Sequence, residues 1–173
     1  MHIASNDKCK HLQQIPDCLE WQNETASKHS PEPVKSVEKV VRQVFSPVHI
    51  DTDSQALKPA ALNDAEDKGL SVFRLKYTDE EDVITSGKIK AQADNDAGKP
   101  EREFVAIANL SVNAVRQITD SEDKLGFAVY DTALHNVVSH ADICHVQQGK
   151  KSFRSIRSKL LEIMQKNITL IKN

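Results

Sequence analysis

Residues 104–110 decide the fold class, because they read Phe104-Val105-Ala106-Ile107-Ala108-Asn109-Leu110. This almost continuously apolar run lacks the alternation of a half-exposed strand and is typical of a central strand buried on both faces. Such a strand needs neighbouring strands beside it and further layers above and below it. We therefore expect a sheet protein in which other elements cover both faces of this strand.

The flanking sequence supplies further strands and short helices. Apolar and β-branched residues predict strands over residues 38–45, 70–77, 125–130 and 141–146. Helices are predicted over residues 54–67 and 79–93, the second opened by a capping-box pattern of Thr78 and Glu81, and Ser111 is expected to cap a short third helix. The fold class is α/β (α+β), a single domain with a mixed, partly antiparallel sheet of four to five strands.

The C-terminal segment is the clearest helix of the chain. Apolar residues recur there at helical spacing, at Phe153, Ile156, Leu160, Leu161, Met164, Ile168 and Ile171. Residues 150–173 contain seven Lys and Arg and one Glu, a net +6, and since the chain carries -2 the remainder carries -8. This basic amphipathic helix is expected to dock on an acidic surface through its apolar stripe.

Three segments are predicted from composition. Residues 1–33 form a polar N-terminal arm and linker that ends at Pro31 and Pro33, residues 34–149 form the α/β core domain, and residues 150–173 form the basic helix. Trp21 is expected to dock on the body or on a partner, because exposing its large aromatic surface is costly.

Composition narrows the class of protein. The chain has 173 residues, of which 39% are hydrophobic and 28% charged, which excludes collagen-like and fully disordered chains. Neither a signal peptide nor an apolar stretch of about 18 residues is present, so no membrane association and a cytoplasmic location are expected. The three cysteines cannot all pair within the chain, and we interpret them as free thiols.

The densest polar cluster covers residues 131–145. His140, Cys144 and His145 would form a metal site only at helical spacing, whereas the β-rich composition predicts a strand, so no metal and no cofactor are expected. Cys9, His11 and Cys18 could complete such a site only if the arm folded back. The favoured interpretation is a loop whose side chains bond to the backbone.

Two arginines in apolar strands, Arg42 and Arg74, require carboxylate or phosphate partners if they are buried. An alternative pocket for an anionic group or a nucleotide is predicted around them. Its residues are Arg42, His49, Arg74, Asp131, His140 and Asp142. Ordinary salt bridges are the competing interpretation for both arginines.

Recognised phosphate-loop, hydrolase-elbow, metalloprotease and kinase motifs do not occur, so an enzyme is not favoured. The leading hypothesis is a non-enzymatic binding protein that contacts a protein partner through its terminal segments, by Trp21, Phe153, Arg154, Arg157, Leu160 and Leu161. The alternatives are a small enzyme or nucleotide-binding domain with the Arg/His/Asp pocket, and nucleic-acid binding through residues 150–173. The sequence assigns no oligomeric state.

Three short motifs of this chain are similar to segments of known proteins. They are Lys68-Gly69-Leu70-Ser71-Val72-Phe73-Arg74, Tyr130-Asp131-Thr132-Ala133-Leu134 and Ser139-His140-Ala141-Asp142-Ile143. In this order they resemble small uncharacterised bacterial proteins of accessory or mobile gene clusters, over roughly residues 38–146. The resemblance implies a bacterial, cytosolic origin and assigns no catalytic residue.

Overall fold

The computed structural model describes residues 7–100 and 102–171. Its strands form one six-stranded sheet in the order β4-β5-β2-β1-β3-β6. The strands are β1 (Lys39–Ser46), β2 (Leu70–Arg74), β3 (Glu103–Ser111), β4 (Phe127–Asp131), β5 (His140–His145) and β6 (Ile168–Leu170).

The five predicted strands are present, and two features of the sheet differ from expectation. Each pair of neighbouring strands is antiparallel, so the sheet is not mixed. The sixth strand comes from the end of the predicted C-terminal helix, because the chain leaves the helix after Lys166 and residues 168–170 pair with β3. Because Ile168 and Ile171 continue the helical spacing, the sequence did not predict this change from helix to strand.

The helices are α1 (Lys8–Leu12), α2 (Glu80–Asp96), α3 (Val112–Arg116) and α4 (Lys150–Lys166), with 3₁₀ helices at Glu20–Asn23 and Pro59–Glu66. The second 3₁₀ helix lies within the predicted helix 54–67 and begins only at Pro59, which suits a first helical position. Asp79, not Thr78, caps α2 by accepting from the backbone of Asp82. Ser111 caps α3 as predicted.

One face of the sheet holds the main core. α4 covers this face with Phe153, Ile156, Leu160 and Met164, which pack in one cluster with sheet residues such as Ile143. The second 3₁₀ helix and α3 complete the cover. The basic helix therefore docks on its own body, and its apolar stripe belongs to the core.

The opposite face is covered in two halves. α2 packs over β1 and β3, where Val83 meets Phe45 and Ile107. The N-terminal arm, residues 7–33, packs over β4 and β5, where Leu12 meets Tyr130. Together with the main core, α2 buries β3 on both faces, as residues 104–110 predicted.

Candidate functional site

The N-terminal arm is fastened to β5 by a disulfide between Cys9 and Cys144, whose Cα atoms lie 5.4 Å apart. The backbone N–H of Cys9 donates to the carbonyl of Asp67 at 2.8 Å. The amide of Gln13 donates to the backbone carbonyls of Glu66 and His145, both at 3.2 Å. The free-thiol interpretation is therefore wrong for Cys9 and Cys144, because the arm folds back and brings their sulfurs together.

Cys18 is the free cysteine among the described residues, and it is buried. Burial raises the pKa of its thiol, which keeps the sulfur protonated and unreactive. Its backbone carbonyl accepts from the Tyr130 hydroxyl at 2.7 Å. The role of Cys18 is therefore to pack the arm on β4.

A cavity of about 530 Å³ lies between the arm and the loop that joins β4 to β5. Its walls are largely apolar and are formed by Leu12, Trp21, Ala26, Tyr130, Ala133 and Leu134. Lys8, Glu24, Thr132 and three histidines add polar groups, the histidines being His29, His135 and His140. This volume falls within the range of small-molecule sites, which combine apolar walls with a few polar groups.

Three polar residues of the cavity wall, which we call its base, form a connected network around Asp142: Lys8, Thr132 and His140. Lys8 Nζ donates to the Asp142 carboxylate, which is buried. The Thr132 hydroxyl donates to the same carboxylate at 2.8 Å, and Ser71 Oγ donates to its other oxygen at 3.4 Å. Asp142 is therefore satisfied by three donors, and it holds Thr132 in place.

His140 is oriented by this network. Its Nδ1 lies 3.1 Å from the carbonyl oxygen of Thr132 and 3.0 Å from the Thr132 hydroxyl. Since a carbonyl oxygen only accepts, Nδ1 carries the hydrogen and donates. Phe73 packs edge to face against the ring, with centroids 6.4 Å apart. The ring is thus held in one tautomer and one orientation.

The rim of the cavity carries a pair of histidines. The rings of His29 and His135 meet edge to face with centroids 5.3 Å apart, and His135 Nδ1 lies 2.5 Å from the Asn136 side-chain oxygen. Leu134 beside them is 52% exposed. Within residues 7–100 and 102–171, no group of three His, Cys, Asp or Glu side chains is placed to hold a metal ion.

The six residues predicted to form the Arg/His/Asp pocket do not line this cavity together, because only His140 belongs to its wall. Arg74 is fully buried and donates to both carboxylate oxygens of Glu38, at 2.9 and 2.8 Å. It also lies 3.8 Å from Asp131. Burial raises the pKa of Asp131 to about 6, against the opposing effect of Arg74. The competing salt-bridge interpretation therefore describes Arg74.

Arg42 and His49 also have structural roles. Arg42 donates to the backbone carbonyl of Ser71 at 2.9 Å, and burial lowers its pKa. His49 Nδ1 accepts from the backbone N–H of Phe45 at 3.2 Å. Burial, and then the charge of Arg42, lower the pKa of His49 to about 3, so the ring stays neutral and supports the turn after β1.

The residues predicted to bind a partner divide into two groups. Phe153 and Leu160 are buried in the main core, so the folded chain does not offer them to a partner. Trp21 and Leu161 are half-buried against the body, Arg157 lies 5.5 Å from the Phe153 ring centroid, and Arg154 is exposed. Partner binding through this second group stays a prediction.

Sequence reasoning located the polar cluster at residues 131–145 and named His140 and Asp142, but it did not connect Lys8 or the cavity wall with them. The sequence signals were the apolar residues Leu12, Ile15, Leu19 and Trp21 in a polar segment, which predicted an arm docked on the body or on a partner. Lys8 lies 134 positions from Asp142 along the chain. No spacing rule joins residues that far apart.

Comparisons with known proteins returned no matching family model, no matching curated protein and no matching solved structure. The resemblance to bacterial accessory-cluster proteins therefore stays a prediction. Among the helices of the described part of the chain, none is both long enough and apolar enough to cross a membrane.

Proposed function

We propose that this chain is a non-enzymatic binding protein whose ligand is a small, mainly apolar molecule held beneath the N-terminal arm. The observation that carries the proposal is the cavity of about 530 Å³ with its apolar walls and its polar base. Pockets that combine these properties bury most of the surface of a small ligand and orient it through few polar contacts.

The hydroxyl groups beside the cavity support binding over catalysis. The Ser27 hydroxyl donates to the Ala133 carbonyl, and the Thr132 hydroxyl donates to Asp142. A catalytic nucleophile needs a free base that takes up its hydroxyl hydrogen. The Ser27 hydroxyl is bonded to a backbone carbonyl, and the Asp142 carboxylate that accepts from Thr132 is already paired with Lys8. Both hydroxyls hold the walls of the cavity together.

The attachment of the arm supports a preformed site. The Cys9–Cys144 disulfide and the Lys8–Asp142 ion pair hold α1 against β5, next to the cavity wall. A wall that is already ordered costs little conformational entropy when a ligand binds. The arm is thus a permanent part of the proposed site.

A neutral, apolar fluorescent dye such as Nile red tests this proposal. We expect saturable binding to the full chain and at least a ~10-fold loss in Ala26→Phe, because the added ring fills the cavity. Ala93→Phe, on the exposed side of α2, is the matched control and keeps the wild-type affinity. Equal dye affinity in both variants, or no saturable binding to wild type, would overturn the proposal.

Nucleic-acid binding is the second candidate, favoured by the exposed Lys150, Lys151 and Arg154 at the start of α4. Contacts of these side chains with phosphates would release counterions, so affinity would fall steeply with salt. A labelled 20-nucleotide DNA titrated at several salt concentrations tests it. Weak binding with no salt dependence, unchanged in Lys150→Gln/Lys151→Gln/Arg154→Gln, would remove this candidate.

A further inference from the structure

The charges around the cavity disfavour an anionic ligand. Among the described residues of the lining, Lys8 brings the one ammonium group, and it is paired with the Asp142 carboxylate. Glu24 places another carboxylate on the wall. Lys8, Asp142 and Glu24 together sum to one negative charge, which disfavours a carboxylate or phosphate beside them. The cavity therefore fits a neutral molecule better than an acid.

The polar base offers an acceptor. In the neutral form of the His140 ring, the hydrogen that Nδ1 donates to the Thr132 carbonyl leaves Nε2 as an acceptor. The hydrogen bonds that the ring makes within the described part of the chain both involve Nδ1 and Thr132, and His140 belongs to the cavity wall. A ligand that donates a hydrogen bond is therefore matched to Nε2, whereas a ligand that only accepts is not.

The acceptor is held in place before any ligand arrives. Thr132, which fixes the His140 tautomer, is itself fixed by Asp142, and Phe73 packs against the ring. An oriented acceptor at the base of an apolar cavity discriminates strongly, because an apolar ligand without a donor leaves it unpaired. These contacts require the ligand to present a hydrogen-bond donor to the ring.

We propose that the cavity selects neutral ring compounds bearing a hydroxyl group, phenols or alcohols, whose O–H donates to Nε2 of His140. This inference rests on the proposed function, since it names the ligand class of the same cavity. The ring would lie against Trp21, Leu12 and Leu134, with the hydroxyl toward the base of the cavity. No covalent step is involved.

Three probes of one size separate the possibilities, namely 5-indanol, indane and indane-5-carboxylate, titrated calorimetrically at pH 7.5 against the full chain. We expect 5-indanol to bind about 10-fold tighter than indane, which is the effect of one hydrogen bond to a buried acceptor. The carboxylate should bind more weakly than indane. Tightest binding of the carboxylate would overturn the inference.

His140→Phe keeps a ring at the site and removes the acceptor, and His11→Phe is the matched control on the exposed side of α1. We expect the 5-indanol preference to disappear in His140→Phe, with indane affinity retained, and to persist in His11→Phe. A preference that survives in His140→Phe contradicts the inference. If all three probes bind alike, the proposed function stands and the inference falls, whereas if none binds the proposed function itself fails.

Discussion

Cys9 of the N-terminal arm is bonded to Cys144 of β5, across 135 positions of the sequence. The bond brings a polar terminal segment onto the sheet and holds α1 beside the cavity. Disulfides persist mainly in oxidising compartments, so this pairing counts against the expected cytoplasmic location. The compartment itself stays a prediction.

We expect one thiol, that of Cys18, to react when the unreduced protein is denatured, and all three cysteines to react after reduction. Reduction should lower the free energy of unfolding by about 2–5 kcal/mol, because the bond restricts the unfolded chain. Thiol titration and urea denaturation measure the two effects. The double variant Cys9→Ser/Cys144→Ser is the control and should not respond to reductant. Three reactive thiols in the unreduced protein would contradict the disulfide.

Leu160→Ala should lower the free energy of unfolding by about 3 kcal/mol, because this side chain is fully buried in the main core. Arg154→Ala, on the exposed side of the same helix, should change it by less than about 0.5 kcal/mol. Urea denaturation of both variants makes the comparison. Equal stability of the two variants would show that α4 does not pack on the sheet.

Asp131 should make the protein less stable as the pH rises. Burial raises its pKa from 3.8 to about 6, so the folded state holds the proton more tightly than the unfolded state. Stability is then lost between about pH 4 and pH 6. Between pH 4 and pH 7 we expect wild type to lose about 2–3 kcal/mol relative to Asp131→Asn.

Urea denaturation at a series of pH values measures this difference. Exposed Asp53→Asn is the control and should follow the wild-type curve. A constant gap between wild type and Asp131→Asn across the range would refute the raised pKa.

His145 should make the protein less stable as the pH falls, the opposite of the effect of Asp131. Burial between Phe127 and Phe153 lowers its pKa from 6.5 to about 4, so the folded state disfavours the charged ring. The contribution of the neutral ring to the free energy of unfolding is fully present above pH 6.5 and is lost as the pH falls through 4. Over this interval wild type should lose about 3 kcal/mol relative to His145→Phe.

Phenylalanine suits this position because His145 Nε2 is buried without a hydrogen-bond partner in the described part of the chain. Gln13, which lies beside the ring, keeps its bonds to two backbone carbonyls in this variant. Thermal denaturation from pH 4 to pH 7 gives the two curves. Parallel curves would show that the ring titrates equally in both states. His11→Phe, which changes an exposed ring, is the reference.

The strands were predictable because their signals are local. The apolar run at residues 104–110 predicted a strand buried on both faces, and α2 and α4 do cover it. Turn residues and alternation located the other four predicted strands within a few positions. The sixth strand was missed because Ile168 continues the helical spacing of α4, and only pairing with β3 converts that segment into a strand.

By itself the sequence determined the main elements, the buried nature of β3 and the amphipathic character of α4, because periodicity over ten or so residues reports which side of an element is apolar. Tertiary structure alone decided the antiparallel strand order, the pairing of Arg74 with Glu38, and the folding back of the arm. The cavity belongs to this second group, since Lys8 and Leu12 reach His140 only across more than 120 positions of chain. Contacts of that range depend on how whole elements pack, which no local pattern encodes.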